Sequence, residues 1–161
     1  MKTLVLIRHA KSSWKDASLG DHQRPLNRRG ERNRWQMADH LNRLPLRVEQ
    51  VYSSSATRAR LTAEALAPAL SDQPPHYEDE LYCFDAASLI HWLRRRSGQV
   101  NAIALVGHNP ALTELANWLD PEPLENLPTC AVLLLHLPIT AWAELDRGRA
   151  QRRQLWLARE L

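Results

Sequence analysis

The sequence predicts an α/β fold, a three-layer sandwich in which helices cover both faces of a mostly parallel central sheet. Three observations carry that expectation. The apolar runs Thr3–Ile7 and Val100–Val106 show no alternation of apolar and polar residues, as strands buried on both faces must. Segments of helical periodicity, about 10–15 residues long, alternate with such runs, the pattern of crossover connections in a parallel sheet. At 161 residues the chain suits one domain, residues 1–161, and is short for two.

Thr3–Ile7 (TLVLI) is the first strand and stops at Arg8-His9-Ala10. The polar stretch from Lys11 to Arg29 holds Gly20 and Pro25 and exceeds an ordinary connection, which marks it as a functional loop. From Gly30 to Leu44, Met37, Leu41 and Leu44 recur at helical spacing, with Trp35 and Ala38 alongside, in an amphipathic helix that stops before Pro45. Val48–Ser53 reads as the second strand. Ser54 and Ser55 are expected to cap a helix from Ala56 to about Leu70, which places Arg58 in its first turn.

Pro74-Pro75 marks a loop, His76–Tyr82 a short extended piece, and Ala86–Arg96 a helix burying Leu89, Ile90 and Leu93. Val100–Val106 is the third buried strand and ends in Gly107-His108-Asn109. Asn109 as cap and Pro110 at the first helical position start a helix to about Leu119, before Pro121 and Pro123. Thr129–His136 gives a fourth strand, and Gln154–Ala158 a last one, antiparallel after the Asp146-Arg147-Gly148 turn. Trp35, Trp92 and Trp118 fall on helices and are expected in the core, whereas Trp14, near His9, is placed to border a cleft.

Composition excludes several classes. With 44% hydrophobic residues, 24% charged and only 5 Gly, the chain is neither disordered nor collagen-like. No apolar run nears the roughly 20 residues that span a bilayer, and Arg8 interrupts the first too early for a secretory signal. The expectation is a cytoplasmic protein with no membrane partner. Cys83 and Cys130 lack Cys-x-x-Cys spacing and read as packing residues. His22, His40, His76, His91 and His136 match no metal-ligand spacing, so no metal site is expected. The basic runs Arg94–Arg96 and Arg147–Arg153 come with no nucleic-acid motif, and the net charge of +3 is mild, so nucleic acid is not an expected partner.

Ligands of open parallel sheets bind beyond the carboxyl ends of the strands. Three such ends here carry Arg8-His9, Arg58 and His108. Arginine matches phosphate oxygens with two parallel donors, a helix N-terminus adds more, and histidine serves as nucleophile, acid or base near neutral pH. Arg58 in a helix's first turn opposes the helix dipole, a local cost that an anion would remove. Together these residues describe a pocket for phosphate.

Four ordered motifs then carry a resemblance: Arg8-His9-Ala10, Arg24-Pro25-Leu26-Asn27-x-x-Gly30, Ser53-x-x-x-x-Arg58-Ala59-x-x-Thr62 and Gly107-His108-Asn109. They resemble the histidine phosphatase superfamily, with its phosphoglycerate mutase-like fold, and Ala10 and the short chain look most like SixA-type phosphohistidine phosphatases. The resemblance implies His9 as nucleophile, Arg8, Arg58 and His108 as holders of the phosphoryl group, and Arg24 as a further phosphate contact. Asn27 stands where Thr is common. Glu80, in Glu78-Asp79-Glu80-Leu81-Tyr82, is the candidate general acid. No cofactor is implied.

Phosphoryl transfer needs in-line positioning and neutralised oxygens. The neutral His9 imidazole would attack phosphorus, and the surrounding cations would keep it neutral by lowering its pKa from about 6.5. The implied substrate is a phosphorylated protein bearing phosphohistidine. Two alternatives stand beside it: a small phosphomonoester as substrate, or a non-catalytic phosphate or nucleic-acid binding module.

Overall fold

The computed structural model describes residues 1–161. The ten main elements follow the chain as β1 (Lys2–Arg8), α1 (Arg28–Asn42), β2 (Gln50–Ser54), α2 (Thr57–Leu70), β3 (His76–Glu78), α3 (Ala86–Arg94), β4 (Ala102–Gly107), α4 (Ala111–Leu119), β5 (Val132–Leu137) and β6 (Gln151–Trp156). They build one six-stranded sheet in the order β3-β2-β4-β1-β5-β6. The first four strands of that order run parallel, and β5 and β6 add antiparallel pairings at one side.

The three layers follow from strand geometry, because successive side chains point to opposite faces. Leu4 and Leu6 of β1 join Ile103, Leu105, Leu133 and Trp92 in one core under α3 and α4. Val5 and Ile7 join Val51, Ala104, Val106 and Met37 in the other, under α1 and α2. Continuous apolar runs are required because both faces are covered. Each fully buried Leu or Ile contributes about 1.5–3 kcal/mol relative to exposure.

β4 is inserted between β1 and β2, so the chain switches sheet face there and leaves a crevice at the carboxyl ends of these strands. The register sets Arg8 opposite Gly107 and Ser53 opposite Val106. Consequently Arg8-His9, Ser54 and His108 emerge at one sheet edge.

Several expectations change in detail. The helix expected from Gly30 begins at Arg28, because the Asn27 side chain accepts from Gly30 N and caps it. Ser54 and Ser55 do not cap α2; Ala56 occupies that position with no side-chain bond, and Ser54 is drawn to His108 instead. Pro110 takes the cap position of α4 rather than its first turn, while Asn109 Oδ1 still accepts from Thr113 N. Trp92 is fully buried, but Trp35 is 52% exposed, lying on the outer face of α1 beneath the Arg34 guanidinium. The last strand starts at Gln151, ahead of the expected Gln154. No helix is long and apolar enough to cross a membrane.

Candidate active site

Backbone pairing fixes the segment after β1. His9 N donates to Gly107 O across to β4, and Cys130 N is shared between Arg8 O and His9 O. Cys130 reaches this position with φ 61°, in the left-handed region that costs a side chain some strain. Thr62 ties the next residue to α2: its Oγ1 accepts from Ala10 N at 2.9 Å and donates to Arg58 O at 2.8 Å. The Gly30 position explains the rest of the motif. A Cβ there would lie 2.1 Å from Lys11 O, so only glycine lets α1 approach the loop that follows Ala10.

These constraints bring His9, His108, Arg8, Arg24 and Arg58 around one cavity of about 260 Å³, joined by Asp21. The two imidazoles face each other at 5.2 Å between ring centres. His9, Arg58 and His108 are 7%, 3% and 2% exposed, so the charges here act in a medium of low polarity.

Protonation follows from hydrogen bonding. His9 Nδ1 donates to Ala10 O at 2.7 Å; a carbonyl only accepts, so the proton sits on Nδ1 and Nε2 keeps its lone pair. Burial comes first in lowering the His9 pKa to about 3; the bond to Ala10 opposes it, and Arg58, Arg8 and Arg24 lower it further. The surrounding cations therefore act in the expected direction, behind desolvation. His108 is likewise lowered to about 3, by burial first and then by His9 and Arg58. Its Nε2 lies 2.8 Å from Ser54 Oγ, and its Nδ1 has no partner.

Arg8 Nε and Arg58 Nε are also buried without a partner. Each unsatisfied buried polar group costs about 1–3 kcal/mol, which an oxyanion in the cavity would relieve. Arg8 Nη1 donates to Leu127 O, and Arg58 is held by Asp21 through Nη1 to the carbonyl and Nη2 to Oδ2 at 3.0 Å. Arg24 donates to Ser12 Oγ and pairs with Asp21, and its guanidinium stacks 3.5 Å from the Trp14 ring centre. Trp14 thus stands at the cavity rim.

Asp21 has no signature in the sequence, since nothing in its local pattern points at Arg58, 37 positions away. Burial alone would raise its pKa, but hydrogen bonds from Tyr82 and Arg58 and the Arg58 charge outweigh that and hold the carboxyl at about 2. Glu80, the expected acid, is not among the residues brought to the cavity. Its carboxylate pairs with Arg95, just past the C-terminus of α3, and is more than half exposed. The turn Asp79–Leu81 aims Glu80 outward and delivers Tyr82 and Phe84 toward His108 instead. No group of three His, Cys, Asp or Glu side chains is arranged to hold a metal ion.

Comparison with known proteins adds three findings. The family model of the histidine phosphatase superfamily, branch 1, matches residues 4–85. An uncharacterized protein of Mycobacterium tuberculosis is 32% identical over 154 residues, covering 89% of this chain and 94% of the relative. Two solved structures provisionally assigned as phosphohistidine phosphatase SixA share the fold. The one from Agrobacterium tumefaciens is 24% identical with a TM-score of 0.83 and covers 97% of both chains. The one from Nakamurella multipartitia is 26% identical with a TM-score of 0.79, covering 97% of this chain and 95% of that one.

Proposed function

Since the chain belongs to the histidine phosphatase superfamily, we propose that it hydrolyses phosphohistidine on a protein substrate through a phospho-His9 intermediate. His9 Nε2, with its lone pair free, attacks phosphorus as the P–N bond to the substrate imidazole breaks. The substrate ring, protonated from solvent on its other nitrogen, leaves as neutral imidazole. Water then attacks phospho-His9, releasing phosphate and restoring the neutral ring. Arg8 and Arg58 meet the charge on the equatorial oxygens, and Arg24 stands ready at the rim. His108 joins them; with the Ser54 hydroxyl donating to Nε2, its unpartnered Nδ1 would carry the proton offered to the phosphoryl group.

The observation that carries the choice of substrate is the state of Asp21. It is the one carboxylate lining the cavity, and it is held ionised at about 2 by its bonds to Tyr82 and Arg58 against the opposing effect of burial. An alkoxide leaving group needs a proton delivered to it, and Asp21 has none to give near neutral pH. A phosphohistidine ring takes a proton from solvent on its other nitrogen, near the ordinary histidine pKa of about 6.5, and then leaves as neutral imidazole with no acid from the site. The SixA assignments of the solved neighbours support the same reading.

The test is a rate comparison between a phosphohistidine protein and a panel of small phosphomonoesters. The expected result is a higher kcat/KM on phosphohistidine. Preferred turnover of alkyl phosphates would assign the site to a small phosphomonoester instead.

A further inference from the structure

Beside the phosphoryl cavity, and sharing Lys11, Ser12 and Trp14 with it, runs an open cleft of about 670 Å³. Lys11 and Lys15 come from the loop after β1, and Arg28 and Arg29 from the start of α1. No carboxylate lines this cleft. Among the acids closest in sequence, Glu31 is engaged by Arg34 and Asp21 by Arg24 and Arg58, while Asp16 accepts hydrogen bonds from Ser18 and forms no ion pair with the cleft's cations. Four like charges gathered without a counterion repel one another. Arg28 and Arg29 also sit at the positive end of the α1 dipole, which is their unfavourable end. A local rule broken twice in one helix turn points to a compensating ligand.

Resting on the phosphohistidine reading above, we propose that this cleft receives acidic side chains of the substrate protein that flank its phosphohistidine. Charge complementarity selects an anionic occupant, and the shape selects a protein surface. The cations are exposed and strung along an open surface, whereas small-molecule sites enclose their ligands. Trp14, 73% exposed where cleft and cavity meet, and Phe84, exposed on the cavity's lining, supply the aromatic contact typical of protein interfaces. The scissile phosphoryl group then enters the cavity while neighbouring Asp or Glu residues lie against Lys15, Arg28 and Arg29.

The experiment uses two phosphohistidine peptides that differ only in flanking residues, Asp and Glu in one and Asn and Gln in the other. The wild-type chain is compared with the K15E/R28E/R29E variant, in which all three replacements are exposed and the α1 changes suit the helix dipole. The expected result is a kcat/KM ratio favouring the acidic peptide by about tenfold at low salt, shrinking with salt, and lost or reversed in the variant. Equal rates on both peptides, or a preference that survives charge reversal, would overturn the proposal.

Binding of the unphosphorylated peptides, followed by Trp14 fluorescence, tests the cleft apart from turnover. Charge-selective binding without phosphohistidine turnover would keep the cleft and refute the phosphohistidine reading. Tighter binding of inorganic tripolyphosphate than of the acidic peptide, lost in the same variant, would assign the cleft to a small polyanion and overturn the protein partner.

Discussion

An imidazole that stays neutral in the folded chain but protonates freely in the unfolded one makes stability fall with acid. His9 and His108 are both in that position, with pKa values lowered to about 3 from 6.5, by burial first. Below pH 6.5 the unfolded chain binds protons that the folded site refuses, so the stability present above 6.5 is lost as pH falls toward 3. Each pH unit in that window costs about 1.4 kcal/mol per group, which by pH 5 makes about 2 kcal/mol for one imidazole and about 4 for the pair. Against a typical total of about 5–15 kcal/mol, that loss is readily measured. Asp21, held at about 2, does not titrate between pH 5 and 7.

Urea unfolding at pH 7 and pH 5 reads the effect as a shift in midpoint. Other histidines cancel when wild type is compared with the His9→Gln/His108→Gln variant, which is expected to lose about 4 kcal/mol less between the two pH values. The same acid-induced loss in both proteins would refute the reasoning. So would ring resonances of His9 or His108 titrating near pH 6.5. The result bears on chemistry, since a ring neutral across the working range always presents its Nε2 lone pair.

Three further outcomes test other parts of the account. Gly30→Ala forces a Cβ onto Lys11 O, with 2.1 Å between them, and should lower stability by about 1–3 kcal/mol in thermal melts while displacing the loop that carries Ser12 and Trp14. Ser54→Ala removes the group that sets the His108 tautomer; kcat should fall by about tenfold with the folded fraction unchanged in circular dichroism. Glu80→Gln breaks only the exposed pair with Arg95 and should leave kcat on phosphohistidine and on esters within about twofold of wild type; a selective loss on esters would restore Glu80 as the acid.

What the sequence could and could not disclose divides along locality. His9 and His108 are legible because each follows a short apolar run that must be a buried strand, Arg58 because it falls in the first turn of the helix after the second strand, and such strand ends converge in an open sheet. The direction of β5 was not legible, since Val132–Leu137 presents the same apolar face whether it pairs parallel or antiparallel. Trp35 lies about 200° around the helix from Met37 but only about 60° from Ala38, at the edge of the buried stripe, so helical spacing alone does not decide whether it is covered, and the structure leaves it exposed.

Ser54 offered a local role as a cap, and a partner 54 residues away claimed it. Glu80 and Asp21 exchanged importance for the same reason. Whether a loop carboxylate faces the cavity depends on how the loop is folded back by distant partners, here Arg58 and Tyr82 for Asp21 and Arg95 for Glu80.

The central claim is that the phosphoryl group passes through His9. Rapid quench of the chain with a radiolabelled phosphohistidine substrate tests it most directly. The account predicts a transient, acid-labile and base-stable label that maps to His9, and no turnover in His9→Ala. Label on a serine, no label at any quench time, or turnover retained by His9→Ala would contradict it.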